Sequence, residues 1–290
     1  MQRQRVTLNG LSFQVYTWGK PAKPKLFLIH GWLDSGAGYD FVCRALERDF
    51  FCIAPDLRGY GRTGHGQNPL GYFFFEHLAD LHALFRRFSP REAVRVLGHS
   101  LGGALIGIYA GAFPERVSHF INVEGFAFRD NPPGRGPQKL RQWIEARPAK
   151  PFKTYPTRRA FARQYRKIHP RLTEERAAYL AEVLTKKVPR GYCLRADPLQ
   201  RLADPAVFTR EMILAFWREI RARCLLVSAA ETNINDWIQV PDLEKELEER
   251  FRHFPPGSPR VVIPDCGHMV HYDQPEQLAE HCRRFLRPTK

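Results

Sequence analysis

Residues 94–112 limit what this chain can fold into more than any other stretch. Val94-Arg95-Val96-Leu97 is a short apolar run, Gly98-His99-Ser100-Leu101-Gly102-Gly103 follows it, and the small residues from Ala104 to Ala112 read as a helix. A strand that turns into a helix within so few residues needs a sharp backbone turn, which glycines permit, and the turn projects its serine outward. A glycine-rich turn around an ordinary serine would leave the flanking strand and helix patterns without a reason.

The rest of the chain repeats this alternation. Val6 and Leu8 on one side of Asn9-Gly10, and Leu11, Phe13 and Val15 on the other, predict a hairpin with a tight type I′ turn. Apolar runs at 25–30, 51–55, 94–98, 119–123, 224–228 and 260–264 read as strands, with helix-length segments between most of them. That rhythm predicts an α/β protein with a mainly parallel sheet covered by helices on both faces, the hairpin forming its antiparallel edge. Asp242 caps a helix carrying Leu243, Leu247, Phe251 and Phe254 on one face, and Leu278, Cys282, Phe285 and Leu286 repeat the pattern at the end of the chain. From Gly125 to Phe208 no strand is evident, while Leu172, Leu180, Val183 and Leu184 recur at helical spacing after a Thr173 cap. We therefore expect a core of residues 1–124 and 209–290 interrupted by a helical cap, 125–208, whose aromatic residues hold the insertion together or line a pocket.

Composition narrows the function classes. A 43% hydrophobic fraction over 290 residues is that of an ordinary globular protein. No stretch reaches the roughly 18 apolar residues of a membrane span, and the polar start from Met1 to Arg5 does not resemble a signal segment. The six cysteines are widely spaced, without a C-x-x-C pair, and read as reduced, buried thiols of a cytoplasmic protein. The net charge of +15 raises the question of nucleic acid or an anionic membrane surface as partner. The basic residues are dispersed, however, and no nucleic-acid module is visible, so solvated helix faces are the simpler reading. Metal clusters, dinucleotide fingerprints and phosphate-cradling loops are likewise not evident, and the chemistry is expected to be free of cofactors.

A serine is a poor nucleophile until a neighbouring base takes its proton. His268, in Gly267-His268-Met269-Val270-His271, follows the strand at 260–264 and opens onto the same crevice as the turn at Ser100. It is preferred over His271, which lies closer to the final helix. An oxyanion formed at the serine needs two backbone N–H donors. Leu101, directly after the serine, supplies one, and the loop His30-Gly31-Trp32-Leu33-Asp34 supplies the other from Trp32, or alternatively from Leu33. His30 is read as structural. Asp56 and Arg58 are read as a polar pair bracing the loop after the strand at 51–55.

His30-Gly31-Trp32, Asp56-Leu57-Arg58-Gly59-Tyr60-Gly61, the turn at Ser100 and Gly267-His268 occur in the order found in the α/β-hydrolase family, which the chain resembles outside the insertion. The resemblance implies an eight-stranded, mostly parallel sheet with a cap inserted after the sixth strand. Trp32-Leu33-Asp34 and the segment Arg195-Ala196-Asp197-Pro198-Leu199-Gln200-Arg201-Leu202 are similar to the branch called serine hydrolase-like proteins. One departure stands out. The family's acid usually follows the seventh strand in a Gly-Glu-x-Asp pattern, whereas this chain reads Ala230-Glu231-Thr232-Asn233. Glu124, at the end of the sixth strand, is favoured instead, similar to the placement in haloalkane dehalogenases, with Asp236 and Glu231 as alternatives. The resulting expectation is a serine hydrolase cleaving an apolar carboxylic ester through an acyl-serine, with Ser100, His268 and Glu124 as catalytic residues. The alternatives are a carbon–carbon bond hydrolase of dienone acids and a non-catalytic ligand-binding protein that keeps the fold.

Overall fold

The computed structural model describes residues 1–66, 70–126, 128–146, 149–202 and 204–287. Eight strands form the main sheet: β1 (Gln2–Leu8), β2 (Leu11–Trp18), β3 (Lys25–Ile29), β4 (Phe51–Pro55), β5 (Val94–His99), β6 (Val117–Val123), β9 (Arg223–Ala229) and β10 (Arg260–Ile263). Two further strands, β7 (Thr185–Val188) and β8 (Gly191–Leu194), form a separate hairpin, and Tyr192 of β8 also bridges to Tyr155. The order across the sheet is β1-β2-β4-β3-β5-β6-β9-β10, antiparallel at β1/β2 and β2/β4 and parallel elsewhere. The strand order therefore reverses around β3, and the crevice outside the carboxyl ends of β3 and β5 is where an open α/β sheet binds its ligand.

Side chains of the central strands alternate between two cores. Leu26 and Leu28 join the core that includes Val42, Leu46, Leu278 and Cys282 of helices 40–46 and 275–286. Phe27 and Ile29 join the opposite core with Leu81, Phe85, Leu105 and Trp217 of helices 74–88, 101–112 and 210–218. Both faces of the sheet are thus covered, and the central strands lack the polar face that a one-sided sheet would retain.

Between β6 and β9 the chain forms helices 136–145, 158–168 and 174–184 and the β7/β8 hairpin. Thr157 and Thr173 cap the second and third helices, each accepting from a backbone N–H at 3.1 Å. The hairpin corrects the expectation of an insertion without strands. Its strands read Thr-Lys-Lys-Val and Gly-Tyr-Cys-Leu, with little of the period-two alternation that identifies a strand in sequence. Its turn ends at Gly191, whose φ of +127° suits glycine and no other residue.

The insertion is fastened to the core by polar contacts on both sides of the crevice. Gly61 donates to the Arg195 carbonyl and Asp197 to the Gly59 carbonyl, each at 2.8 Å. Arg176 donates to the Tyr272 carbonyl at 2.9 Å, and the Trp32 indole to the Gln200 carbonyl at 2.9 Å. The expected Asp56–Arg58 pair is not formed. Arg58 turns to Asp80 and Glu76 on helix 74–88, while Asp56 accepts from Ser35, Tyr16 and the N–H groups of Gly36 and Arg62. A buried carboxylate beside several loop N–H donors gains more from them than from a cation already held by two other acids.

A second buried carboxylate joins the loop after β3 to the loop after β10. Asp34 accepts from His271 Nε2 at 3.0 Å, from the Tyr272 hydroxyl, and from the Ser35 N–H at 2.7 Å. Burial alone would raise the Asp34 carboxyl, but the hydrogen bond and charge of His271, the nearby His30 and the Tyr272 hydroxyl hold it below its ordinary value. A depressed folded-state value contributes stability above the unfolded carboxylate range and loses it as pH falls through the folded value. Asp34→Asn is expected to cost about 2–3 kcal/mol near neutral pH in urea titrations. The gap between wild type and variant should close as the pH falls below the carboxylate range, and an unchanged gap there would assign the loss to packing.

Candidate active site

Ser100 sits between the end of β5 and helix 101–112 with φ +51° and ψ −118°, a strained conformation for a residue with a side chain. The glycines beside it make that turn possible. A Cβ on Gly102 would lie 2.1 Å from the Ile29 carbonyl oxygen, and one on Gly98 would lie 2.6 Å from the Gly102 carbonyl oxygen. The helix therefore starts in direct backbone contact with β3. Its first N–H groups, Leu101 among them, have no carbonyl within the helix to bond and face the crevice with the positive end of the helix dipole.

His268 lies in the loop between β10 and the short helical turn Val270–Asp273. Its Nε2 is 2.9 Å from Ser100 Oγ and its Nδ1 is 3.2 Å from Glu124 Oε2. Those two contacts fix a tautomer: Nδ1–H donates to the carboxylate, and the Nε2 lone pair faces the serine hydroxyl. The backbone of the same residue is also held, because His99 Nε2 donates to the His268 carbonyl at 2.7 Å. Burial, together with the neighbouring His271 and His268, pushes His99 well below the ordinary imidazole range, so it stays a neutral donor.

Glu124 is fully buried at the end of β6 and adopts φ +56°. Besides His268 it accepts from the Ala229 N–H at 2.9 Å and from the Thr232 hydroxyl. The stretch 230–233, which lacks the family's usual aspartate, thus contributes a hydroxyl that orients an acid from the neighbouring strand. Asp236 and Glu231 are not bonded to His268 among the described residues, although Glu231 borders the same cavity as Ser100. Asp236 is exposed and accepts from Asn233 Nδ2 at 3.0 Å, and Glu231 is exposed and paired with Arg171. His271 is buried against Asp34, as described above, and His30 is occupied by the Gly31 carbonyl and the Leu57 N–H.

The loop bearing Trp32 passes so close to the serine that a Cβ on Gly31 would lie 3.2 Å from Ser100 Cβ. Leu33 follows with φ +57°. Trp32, Leu33, Ser100, Leu101, Glu124 and His268 all border one cavity of about 1050 Å³. That volume is at the upper end for a small-molecule site, and its walls include Phe74, Phe128, Phe152, Phe161 and Trp237. The Trp237 ring lies 4.8 Å from the His268 ring. Neither Trp237 nor Thr232 is marked by any periodicity, and only the fold places them beside the histidine.

Asp34, His99 and His271 present possible metal-ligand atoms within 4.8 Å of one another. Both Asp34 oxygens are engaged by hydrogen bonds, and His99 Nε2 is held by the His268 carbonyl. The three side chains form a buried cluster beside the site, in which His99 also borders the cavity and Nδ1 of His99 and of His271 find no hydrogen-bond partner among the described residues.

Residues 24–275 match the family model described as the alpha/beta hydrolase fold. The chain is 26% identical to a probable serine hydrolase of Drosophila melanogaster over 283 residues, 93% of this chain and 83% of that one. It is 25% identical to serine hydrolase-like protein 2 of Homo sapiens over 94% of this chain and 90% of that one. Among solved structures, a thioesterase domain from the curacin biosynthetic pathway superposes with a TM-score of 0.86 at 22% identity, covering 98% of this chain and 99% of that one. The chain belongs to the alpha/beta hydrolase fold family, in its serine hydrolase-like branch.

Proposed function

We propose that this hydrolase cleaves carboxylic esters of apolar acids or alcohols through an acyl-serine, with Ser100, His268 and Glu124 as catalytic residues. The observation that carries the reading is the continuous chain from Ser100 Oγ to His268 Nε2 at 2.9 Å and from His268 Nδ1 to Glu124 Oε2 at 3.2 Å. His268 takes the Ser100 proton as Oγ attacks the ester carbonyl, and the charge on the carbonyl oxygen is met by the N–H groups of Trp32 and Leu101. His268 then returns the proton to the departing alcohol as the carbon–oxygen bond breaks. Water, deprotonated by the same imidazole, releases the acid and restores the serine. Glu124 stabilises the imidazolium in both halves of the cycle.

Residues 125–208 act in this reading as the cap that supplies much of the cavity wall. The aromatic lining favours an apolar substrate, and the six free, buried cysteines fit a reducing, cytoplasmic setting. One observation favours the carbon–carbon bond hydrolase as a second reading. Lys153 lines the cavity over the Tyr155 ring and, among the described residues, forms no ion pair, so its charge is open to a substrate carboxylate.

A fluorophosphonate probe is expected to label wild-type protein at Ser100, read by peptide mass spectrometry, and to leave Ser100→Ala unlabelled. On a panel of uncharged esters and dienone acids, the esters should turn over at least about 100-fold faster in kcat/KM. Faster turnover of the dienone acids would select the second reading. An unlabelled Ser100 with no turnover of either class would leave a ligand-binding protein.

A further inference from the structure

Among the described residues, helix 136–145 is the one α-helix of the insertion without a buried residue. Gly136, Lys139 and Trp143, spaced three and four residues apart, are its half-buried residues. Trp143 packs near Phe73 at 6.2 Å between ring centroids, Lys139 Nζ donates to the Ala206 carbonyl at 2.7 Å, and Gly136 lies against Val207. Leu140 and Ile144, one turn apart on the same face, are left 49% and 58% exposed. Phe75, on helix 74–88, packs against Phe208 and is 49% exposed. Arg135, at the start of the helix, and Arg141, next to Leu140 within it, are exposed and form no ion pairs among the described residues, and Glu145 is the only acid on the helix.

We propose that this helix docks the protein onto an anionic lipid bilayer, with Leu140 and Ile144 entering the headgroup boundary and Arg135 and Arg141 facing the headgroup charges. Two half-exposed apolar side chains are few beside the roughly 20–30 residues that each side of a specific protein complex contributes. They suit a bilayer, where a short amphipathic helix holds through a few inserted side chains and the attraction of its cations to anionic lipid. The chain's net charge of +15 adds long-range attraction to the same partner. The placement also has a use. Phe73, which the Trp143 ring approaches, is followed by Phe74, and Phe74 lines the cavity with Phe128, their rings 6.0 Å apart. A lipid-dissolved substrate would then meet the cavity without crossing water.

Binding is independent of the hydrolase reading and is measured with Ser100→Ala protein, so that no lipid is consumed. Flotation with vesicles of phosphatidylcholine alone is compared with vesicles containing about one-third phosphatidylglycerol. We expect binding to the anionic vesicles only, weakened by salt. Leu140→Ser with Ile144→Ser should weaken it roughly tenfold, and Arg135→Ala with Arg141→Ala by a similar factor. Arg48→Ala with Arg252→Ala removes the same charge from exposed positions outside this helix and should change binding less than about twofold. The proposal is overturned if anionic vesicles do not bind, or if the Arg48/Arg252 control pair weakens binding as much as the Arg135/Arg141 pair. It is also overturned if ultracentrifugation finds a dimer in wild type that the Leu140/Ile144 variant abolishes, because a second copy would then occupy the surface.

Discussion

The first turn of helix 101–112 can meet the end of β3 only because position 102 has no side chain, and the geometry of the site depends on that contact. With Gly102 in place the backbone turns at Ser100 within a single residue, the Leu101 N–H faces the crevice, and the loop through Gly31 lies against the serine. A methyl group there would push the helix from the sheet and carry Ser100 and the Leu101 N–H away together. The turn is strained, and Ser100 is not alone in this. Leu33, Ser100, Glu124 and Asp265 all adopt positive φ in loops at the carboxyl ends of β3, β5, β6 and β10. Each such residue costs on the order of 1–3 kcal/mol, which the packed sheet beneath must offset. Strain concentrated where four strands open onto one cavity is a mark of a site held in a fixed geometry.

Buried polar groups carry the second constraint. Glu124 and Asp34 are carboxylates removed from water, and each has several donors from loops distant in sequence. Glu124 orients the histidine ring, while His99 and the Asp34 cluster hold the histidine loop. The same imidazole is therefore fixed at its ring and at its backbone by separate groups. In the proposed mechanism, fixing both would remove reorientation from the reaction coordinate, which is how preorganised sites lower a barrier.

How much of this is legible in the sequence depends on whether a residue has local company. The parallel strands and the turn at Ser100 are visible because apolar runs, glycines and small residues lie side by side. His268 is readable for the same reason, by its glycine and the strand before it. Glu124 is discernible only from its position at a strand end, since its partner is 144 residues away. Thr232 and Asp34 carry no local signal. Their partners lie 108 and 237 residues distant, and an isolated loop hydroxyl or carboxylate looks like a solvated one until the sheet closes. The β7/β8 hairpin escapes for a different reason: its lysines and short strands obey the demands of a small surface hairpin and not those of a buried core. Asp56 and Arg58 look like a pair by proximity, yet each finds better-placed partners elsewhere.

The central claim is that Glu124, from the sixth strand of the sheet, completes the catalytic chain that runs through His268 to Ser100. Steady-state kinetics of Glu124→Gln and Asp236→Asn on one ester hydrolysed by the wild type test it most directly. Replacing the carboxylate that stabilises the imidazolium should lower kcat of Glu124→Gln by a factor on the order of 10⁴. Exposed Asp236, as its asparagine variant, should stay within about twofold of wild type. A Glu124→Gln enzyme of normal activity beside a nearly inactive Asp236→Asn would contradict the account and return the acid to the segment after β9.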